Sequence, residues 1–189
     1  LRPEMTPTLA RLVIQKGREL RKPFKWYSMP RLFRYEKAQK GRLREFFQLN
    51  MDIIGTDSIY AEADLLAAIA SMLRKFGLKD ENFVIGVSSR KLLATYLEEI
   101  GVTNPALVYP VLDKRLKIGP EAFAKALAEA NVSEEQVEKL DALMNCKSIE
   151  EVEKLLTKDA AKNALDEIKE LFETLSAAGY KDCIALDLS

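Results

Sequence analysis

The stretch Phe33-Arg34-Tyr35-Glu36-Lys37-Ala38-Gln39-Lys40-Gly41-Arg42-Leu43-Arg44-Glu45-Phe46-Phe47-Gln48-Leu49-Asn50-Met51-Asp52-Ile53-Ile54-Gly55 decides the reading of this chain. Two β-prone runs flank a basic loop that contains glycine, which predicts a hairpin over 31–55 with strands at 31–37 and 43–54. Side chains two apart on a strand share a face. Arg34 thus points the same way as Glu36, Arg44 as Phe46, and Glu45 as Phe47. This layout suits a nucleotide. An arginine fork clamps phosphate and carboxylate oxygens, a carboxylate accepts from an exocyclic amine, and a basic loop covers the remaining phosphates.

Upstream of the hairpin, Thr6 and Pro7 predict a helix start, with Thr6 as N-cap and Pro7 at the first helical position. Leu9, Leu12, Val13 and Leu20 extend a helical stripe to about Leu20, and Pro23 closes it. Phe24 to Met29 reads as a short strand leading to Pro30. Downstream, a helix is expected over 59–76, capped by Asp57 or Ser58 and closed by Gly77. Phe83 to Val87 reads as a short buried strand, followed by a helix from Ser88 or Ser89 to about Ile100.

Composition changes after Gly101. From Pro105 to Ala178 the chain is rich in Ala, Leu, Glu and Lys. Helix starts are expected at Pro120, Ser133, Ser148 and Asp159. Ser133 to Gln136 and Ser148 to Glu151 both have the form of capping boxes. Cys183 to Leu188 returns to a strand. The expected class is α+β: a mixed, mainly antiparallel sheet flanked by helices, with an inserted all-helical domain. The boundaries read 1–104 for a core carrying the hairpin, 105–178 for the helical insertion, and 179–189 for a strand returning to the core.

The 189 residues, 48% hydrophobic, suffice for one full core with or without a small second one. Formal charge is zero, yet residues 1–44 hold 13 Lys and Arg against 3 Asp and Glu. That asymmetry points to an anionic ligand at the N-terminal part, a solvated basic face being the alternative. The chain has no histidine, which removes imidazole acid–base chemistry and His metal sites. Cys146 and Cys183 have neither metal-like spacing nor a disulfide framework and read as reduced thiols of a cytoplasmic protein. No apolar run approaches the ~20 residues of a membrane span, and no signal peptide is visible.

The hairpin resembles motif 2 of the class II aminoacyl-tRNA synthetases, and specifically the histidyl-tRNA synthetase family. Leu1-Arg2-Pro3-Glu4-Met5-Thr6 with Arg11 is similar to that family's amino-acid-binding segment. The Gln39-Lys40-Gly41-Arg42 loop and the Gln48 and Asp52 pair also fit. Val87-Ser88-Ser89-Arg90-Lys91-Leu92, Val111-Leu112-Asp113-Lys114 and the final Leu186-Asp187-Leu188-Ser189 resemble later parts of the family's sequence, so the likeness runs along nearly the whole chain.

The resemblance implies a class II sheet and the activation of histidine by ATP, with Mg²⁺ accompanying the ATP and no prosthetic group, followed by transfer to tRNA(His). It implies that Arg34 is catalytic, bridging the α-phosphate and the amino-acid carboxylate, and that Glu36, Arg42 and Phe46 bind ATP. Glu4, Thr6, Gln48 and Asp52 would bind histidine, with Asp52 standing where the family usually has Glu. Lys114, Arg115 and Lys117 are candidate tRNA contacts, and no protein metal ligands are assigned. It further implies a cytoplasmic homodimer, with motif 1 preceding Leu1 and a second histidine signature following Ser189. The chain would then be a segment of a longer protein.

Structural alternatives exist for each residue: Glu4 pairing with Arg11, Arg34 pairing across the strand with Glu36, Arg42 merely solvated. Two other functions compete. One is the family's non-catalytic paralogue, a regulatory subunit of ATP phosphoribosyltransferase, which typically loses the Arg-x-Glu pair present here. The other is a helical interaction module in which 105–178 matters and the hairpin is a relic.

Overall fold

The computed structural model describes residues 1–37, 39–115 and 118–188. It divides into two compact units, Leu1–Ala61 and Glu62–Ser189.

The first unit opens with helix α1 (Thr6–Lys16), then strands β1 (Phe24–Ser28), β2 (Arg31–Phe33), β3 (Glu45–Phe47) and β4 (Asn50–Ile54). The helix begins one residue earlier than the capping pattern predicts, with Met5 as N-cap and no side-chain cap. It also stops earlier than expected, because Gly17 follows Lys16 and donates its N–H to the Val13 carbonyl to close the last turn. The hairpin forms with shorter strands than expected, 31–33 and 45–47, which leaves Arg34, Glu36 and Arg44 outside the ladder, and its second run divides. Residues 45–47 pair antiparallel with β2, while 50–54 pair antiparallel with β1, placing Trp26 opposite Asp52 and Ser28 opposite Asn50. Pro30 explains the break. Its carbonyl accepts from the Gln48 N–H at 3.4 Å, but a proline has no N–H to return, so the ladder cannot run on. Among the described residues of this unit, the buried hydrophobic side chains are Phe24 and Leu32.

The second unit holds most of the core. Helix α2 (Ile59–Lys75) enters it and ends at Gly77, whose φ of +93° is the left-handed conformation a helix stop demands. Strand β5 (Ile85–Val87) pairs in parallel with β6 (Ile184–Leu186). Between them run α3 (Arg90–Glu99), α4 (Pro105–Leu112), α5 (Pro120–Glu129), α6 (Glu134–Asn145), α7 (Ile149–Leu155) and α8 (Asp159–Ala177). A parallel pair needs such a crossover. The helix starts fall where the capping residues put them. Ser89, Ser133 and Ser148 each accept from the backbone N–H three residues on. The Ser133 box is reciprocal through Gln136. At Ser148 the return bond differs, since the Glu151 carboxylate accepts from Lys147 rather than from the cap residue.

Helix α8 buries Ala161, Ala164, Leu165, Ile168, Leu171 and Leu175, a spacing of three and four that lines one face. That face packs with Leu92, Tyr96, Leu143 and Val152. A second cluster joins Leu97, Val108, Leu127 and Leu140. Each fully buried leucine contributes about 1.5–3 kcal/mol. The α8 N-cap, Lys158, has no side-chain cap of its own. Glu99 of α3 instead braces the segment that leads into the helix, accepting from Thr157 N, Thr157 Oγ1 and Lys158 N at 2.7, 2.6 and 3.2 Å. Burial pushes the Glu99 carboxyl up, but these hydrogen bonds outweigh it and leave its pKa below the ordinary value.

The expectation of one mixed sheet is not how the described strands pair. They form three two-stranded ladders, two antiparallel and one parallel.

Candidate functional site

Arg34, Glu36, Gly41, Arg42, Leu43, Phe46 and Phe47 line a cleft of about 350 Å³ at the hairpin. All four side chains assigned to ATP by resemblance therefore meet in one place. The turn that shapes the cleft is tight: Arg42 N donates to the Gln39 carbonyl at 3.0 Å. Gly41, the third residue of that turn, has φ +80°, a conformation that strains any residue with a Cβ.

Within the cleft the polar groups pair with one another. Arg42 Nη1 meets Glu36 Oε2 at 3.0 Å. The Arg34 guanidinium carbon lies 5.1 Å from the Phe46 ring centre, within cation–π range. Arg34 Nε donates to the Pro3 carbonyl at 2.8 Å. The alternative in which Arg34 pairs with Glu36 is not what forms: the ion partner of Glu36 is Arg42, and the two backbones bond instead, Glu36 N to Arg34 O at 2.9 Å.

The bond to Pro3 ties the cleft to the N-terminal segment. Phe33 N also donates to the Arg2 carbonyl at 2.8 Å, so residues 2–3 run beside β2. Glu4 follows directly and lines a neighbouring cleft of about 490 Å³ with Arg2, Pro3, Pro7, Thr8 and Arg11. Arg11 does not pair with Glu4; its Nη2 donates to Thr8 Oγ1 at 3.2 Å. Thr6 is the first residue of α1 and does not line this cleft, whereas Thr8 does. Thr8 was not among the residues expected at the site, and Glu4 lies outside the helix, so no helical spacing links the two in the sequence.

Asn50 and Asp52 share a face of β4, with Asp52 half-buried opposite Trp26. Gln48 lies just before the strand. Its Nε2 donates to Asn50 Oδ1 at 2.8 Å, and Asn50 Nδ2 donates back to the Gln48 carbonyl at 3.2 Å. Asn50 was not among the residues singled out from the sequence. Its signal was present in the alternation of polar Gln48, Asn50 and Asp52 with Leu49, Met51 and Ile53.

The candidate RNA contacts lie in the second unit. Lys114 is exposed. Arg115 is held inward: Nη2 donates to Asp141 Oδ1 at 2.7 Å and Asn145 Oδ1 at 2.8 Å, and its side chain is 16% exposed. Lys117 lies outside the described residues. Among the described residues, no group of three or more Cys, Asp or Glu is arranged to hold a metal ion, and no helix is long and apolar enough to cross a membrane.

The family model for histidyl-tRNA synthetase matches residues 1–189. A chloroplastic/mitochondrial histidine–tRNA ligase of Arabidopsis thaliana is 37% identical over 100% of this chain and 39% of its own length. The histidine–tRNA ligases of Haloarcula marismortui and Pyrococcus furiosus are 36% and 34% identical, each over 100% of this chain and 44% of the relative. The chain thus spans about two-fifths of the length of these curated relatives. Among solved structures, a histidyl-tRNA synthetase from Nostoc superposes with TM-score 0.83 at 21% identity, covering 100% of this chain and 45% of that one. An ATP phosphoribosyltransferase regulatory subunit/histidyl-tRNA synthetase from Bacillus halodurans gives 0.81 at 24%, covering 100% and 49%. At these identities the structures speak to the fold.

Proposed function

Because the chain belongs to the histidyl-tRNA synthetase family, we propose that it carries the nucleotide and amino-acid grip of a class II synthetase that activates histidine. The observation that carries this reading is the convergence of Arg34, Glu36, Arg42 and Phe46 on one cleft. In the reaction, a histidine carboxylate oxygen attacks the α-phosphorus of ATP and pyrophosphate leaves. The adenylate carbonyl is then attacked by a ribose hydroxyl at the tRNA end, releasing AMP. Mg²⁺ enters with ATP as part of the substrate.

Each side chain has a role that its present partner makes easy to exchange. Adenine takes Phe46 in place of the Arg34 guanidinium. The adenine amine takes Glu36 in place of Arg42, which turns to the γ-phosphate. The ion pair given up is a surface pair, worth under ~1 kcal/mol, so the exchange costs little against phosphate contacts. Arg34 is aimed at the α-phosphate, where charge grows on the non-bridging oxygens as the transition state forms. Its anchor on Pro3 O keeps it next to the Glu4 segment, which supplies a carboxylate for the histidine ammonium with Thr6 in support. Gln48 and Asp52 complete the histidine contacts.

Residues 105–178 act in this reading as an inserted helical domain that meets the tRNA, with Lys114 and Lys117 as candidate phosphate contacts. Arg115 would hold the α5–α6 region in shape unless RNA draws it from Asp141. A cytoplasmic homodimer of a longer protein belongs to the same reading. The paralogue reading is less favoured, since Arg34 and Glu36 are both present and the curated relatives quoted above are ligases. The test is histidine-dependent ATP–pyrophosphate exchange by a full-length protein containing this segment. Exchange that needs histidine supports the proposal, and its absence in the folded protein overturns it.

A further inference from the structure

We infer that Asn50 is a positioning residue that fixes which end of the Gln48 amide faces a bound amino acid. A main-chain carbonyl only accepts hydrogen bonds. Asn50 binds the Gln48 carbonyl, so the Asn50 atom at 3.2 Å must be its NH₂ group. Asn50 therefore turns its Oδ1 toward the Gln48 side chain. That oxygen accepts only from a donor, so the Gln48 atom at 2.8 Å must be Nε2. The remaining terminal atom of Gln48, Oε1, is left as an acceptor for a ligand. A free glutamine presents either end of its amide; this one is committed to presenting oxygen.

The location gives the pair a second duty. Gln48 N bonds Pro30 O at the end of the β2–β3 ladder, and Asn50 opens the β1–β4 ladder opposite Ser28. The pair thus braces the point where the chain changes sheet partner. Both bonds are partly buried, which shields them from competing water. An oxygen presented there selects a ligand that donates, such as the ammonium of an α-amino acid, over one that lacks it. The inference rests on the reading of Gln48 as a histidine contact.

The test compares the affinity of the full chain for histidine and for imidazolepropionate, which is histidine without its amino group. Four proteins are measured: the unaltered chain, Gln48→Ala, Asn50→Ala and the double variant. Preference for histidine should fall by roughly two- to tenfold in Asn50→Ala, the scale of one net hydrogen bond. In the Gln48→Ala background the same change should have no further effect on preference. A role confined to bracing the strands persists there instead, because the Asn50 bond to the Gln48 backbone carbonyl survives loss of the side chain. The Gln48 side-chain amide resonances, which should shift in Asn50→Ala while the rest of the spectrum stays folded, report the reorientation directly. If Gln48→Ala leaves preference unchanged, or the unaltered chain shows none, the reading of Gln48 fails and this inference with it. If Gln48→Ala lowers preference and Asn50→Ala does not, that reading stands and the inference alone is overturned.

Discussion

Replacing Arg34 with alanine separates catalysis from stability. The side chain is exposed; its Nε donates to Pro3 O at 2.8 Å, and its guanidinium lies 5.1 Å from the Phe46 ring. An exposed cation–π contact is worth about 0.5–1 kcal/mol and a net hydrogen bond about 1 kcal/mol. The fold should therefore lose no more than about 2 kcal/mol. A donor oriented to a developing charge is worth more: its loss costs about 2.7–4 kcal/mol, or ~10²–10³ in rate. ATP–pyrophosphate exchange in a full-length protein carrying Arg34→Ala should drop by that factor, while urea unfolding shifts only slightly. Arg34→Lys keeps the charge but loses the planar fork, so its rate should fall in between. Exchange within tenfold of the unaltered protein would refute the role given to Arg34. So would a rate loss matched by an equal loss of stability, which would make the residue a structural tie between the hairpin and Pro3.

Other consequences are open to measurement. Asp52→Ala should weaken histidine ~10–150-fold, the worth of a charge-assisted hydrogen bond of roughly 1.5–3 kcal/mol, while ATP affinity barely moves; equal loss for both ligands would mean that β4 has collapsed. Arg115→Ala should lower the melting temperature of the chain, because Asp141 and Asn145 lose their shared donor; Lys114→Ala should leave melting unchanged and reduce the salt slope of tRNA binding by about one unit. Glu99→Gln should lower thermal stability at neutral pH. The folded pKa of Glu99 lies below its ordinary value, so its contribution is full above the unfolded pKa and disappears as pH falls through the folded one. The gap between Glu99→Gln and the unaltered chain should therefore close on acidification, and a gap independent of pH would remove the Glu99 carboxylate's bonds to Thr157 and Lys158 as its cause.

Local signals were the most legible in the sequence. Ser89, Ser133 and Ser148 mark helix starts because a cap is decided by the residue and its three successors. Gly77 marks a stop for the same reason. Residues 45–54 were harder to read. They form a continuous β-prone run, and only the lack of an N–H at Pro30, 15 residues before the run begins at Glu45, makes the run change partners at Gln48. The brace before α8 was hidden because Glu99 lies 58 residues from Thr157, a separation that no local pattern records. In the candidate site, residue types were legible but present partners were not. The sequence placed Arg34 beside Glu36, whereas the turn at Gly41 brings Arg42 to that carboxylate instead. Asn50 escaped notice because a polar strand residue acquires meaning only when its neighbour's amide is seen to bind it.

The central claim is that the hairpin cleft takes ATP through Arg34, Glu36, Arg42 and Phe46. An NMR titration of the ¹⁵N,¹³C-labelled chain with ATP and Mg²⁺ tests it most directly. The largest shifts are expected at these four residues, with the Arg42 guanidinium and Glu36 carboxylate signals moving together as their ion pair opens, and α5 to α8 unmoved. Saturable ATP binding whose shifts fall elsewhere, or no binding by the folded chain, would contradict it.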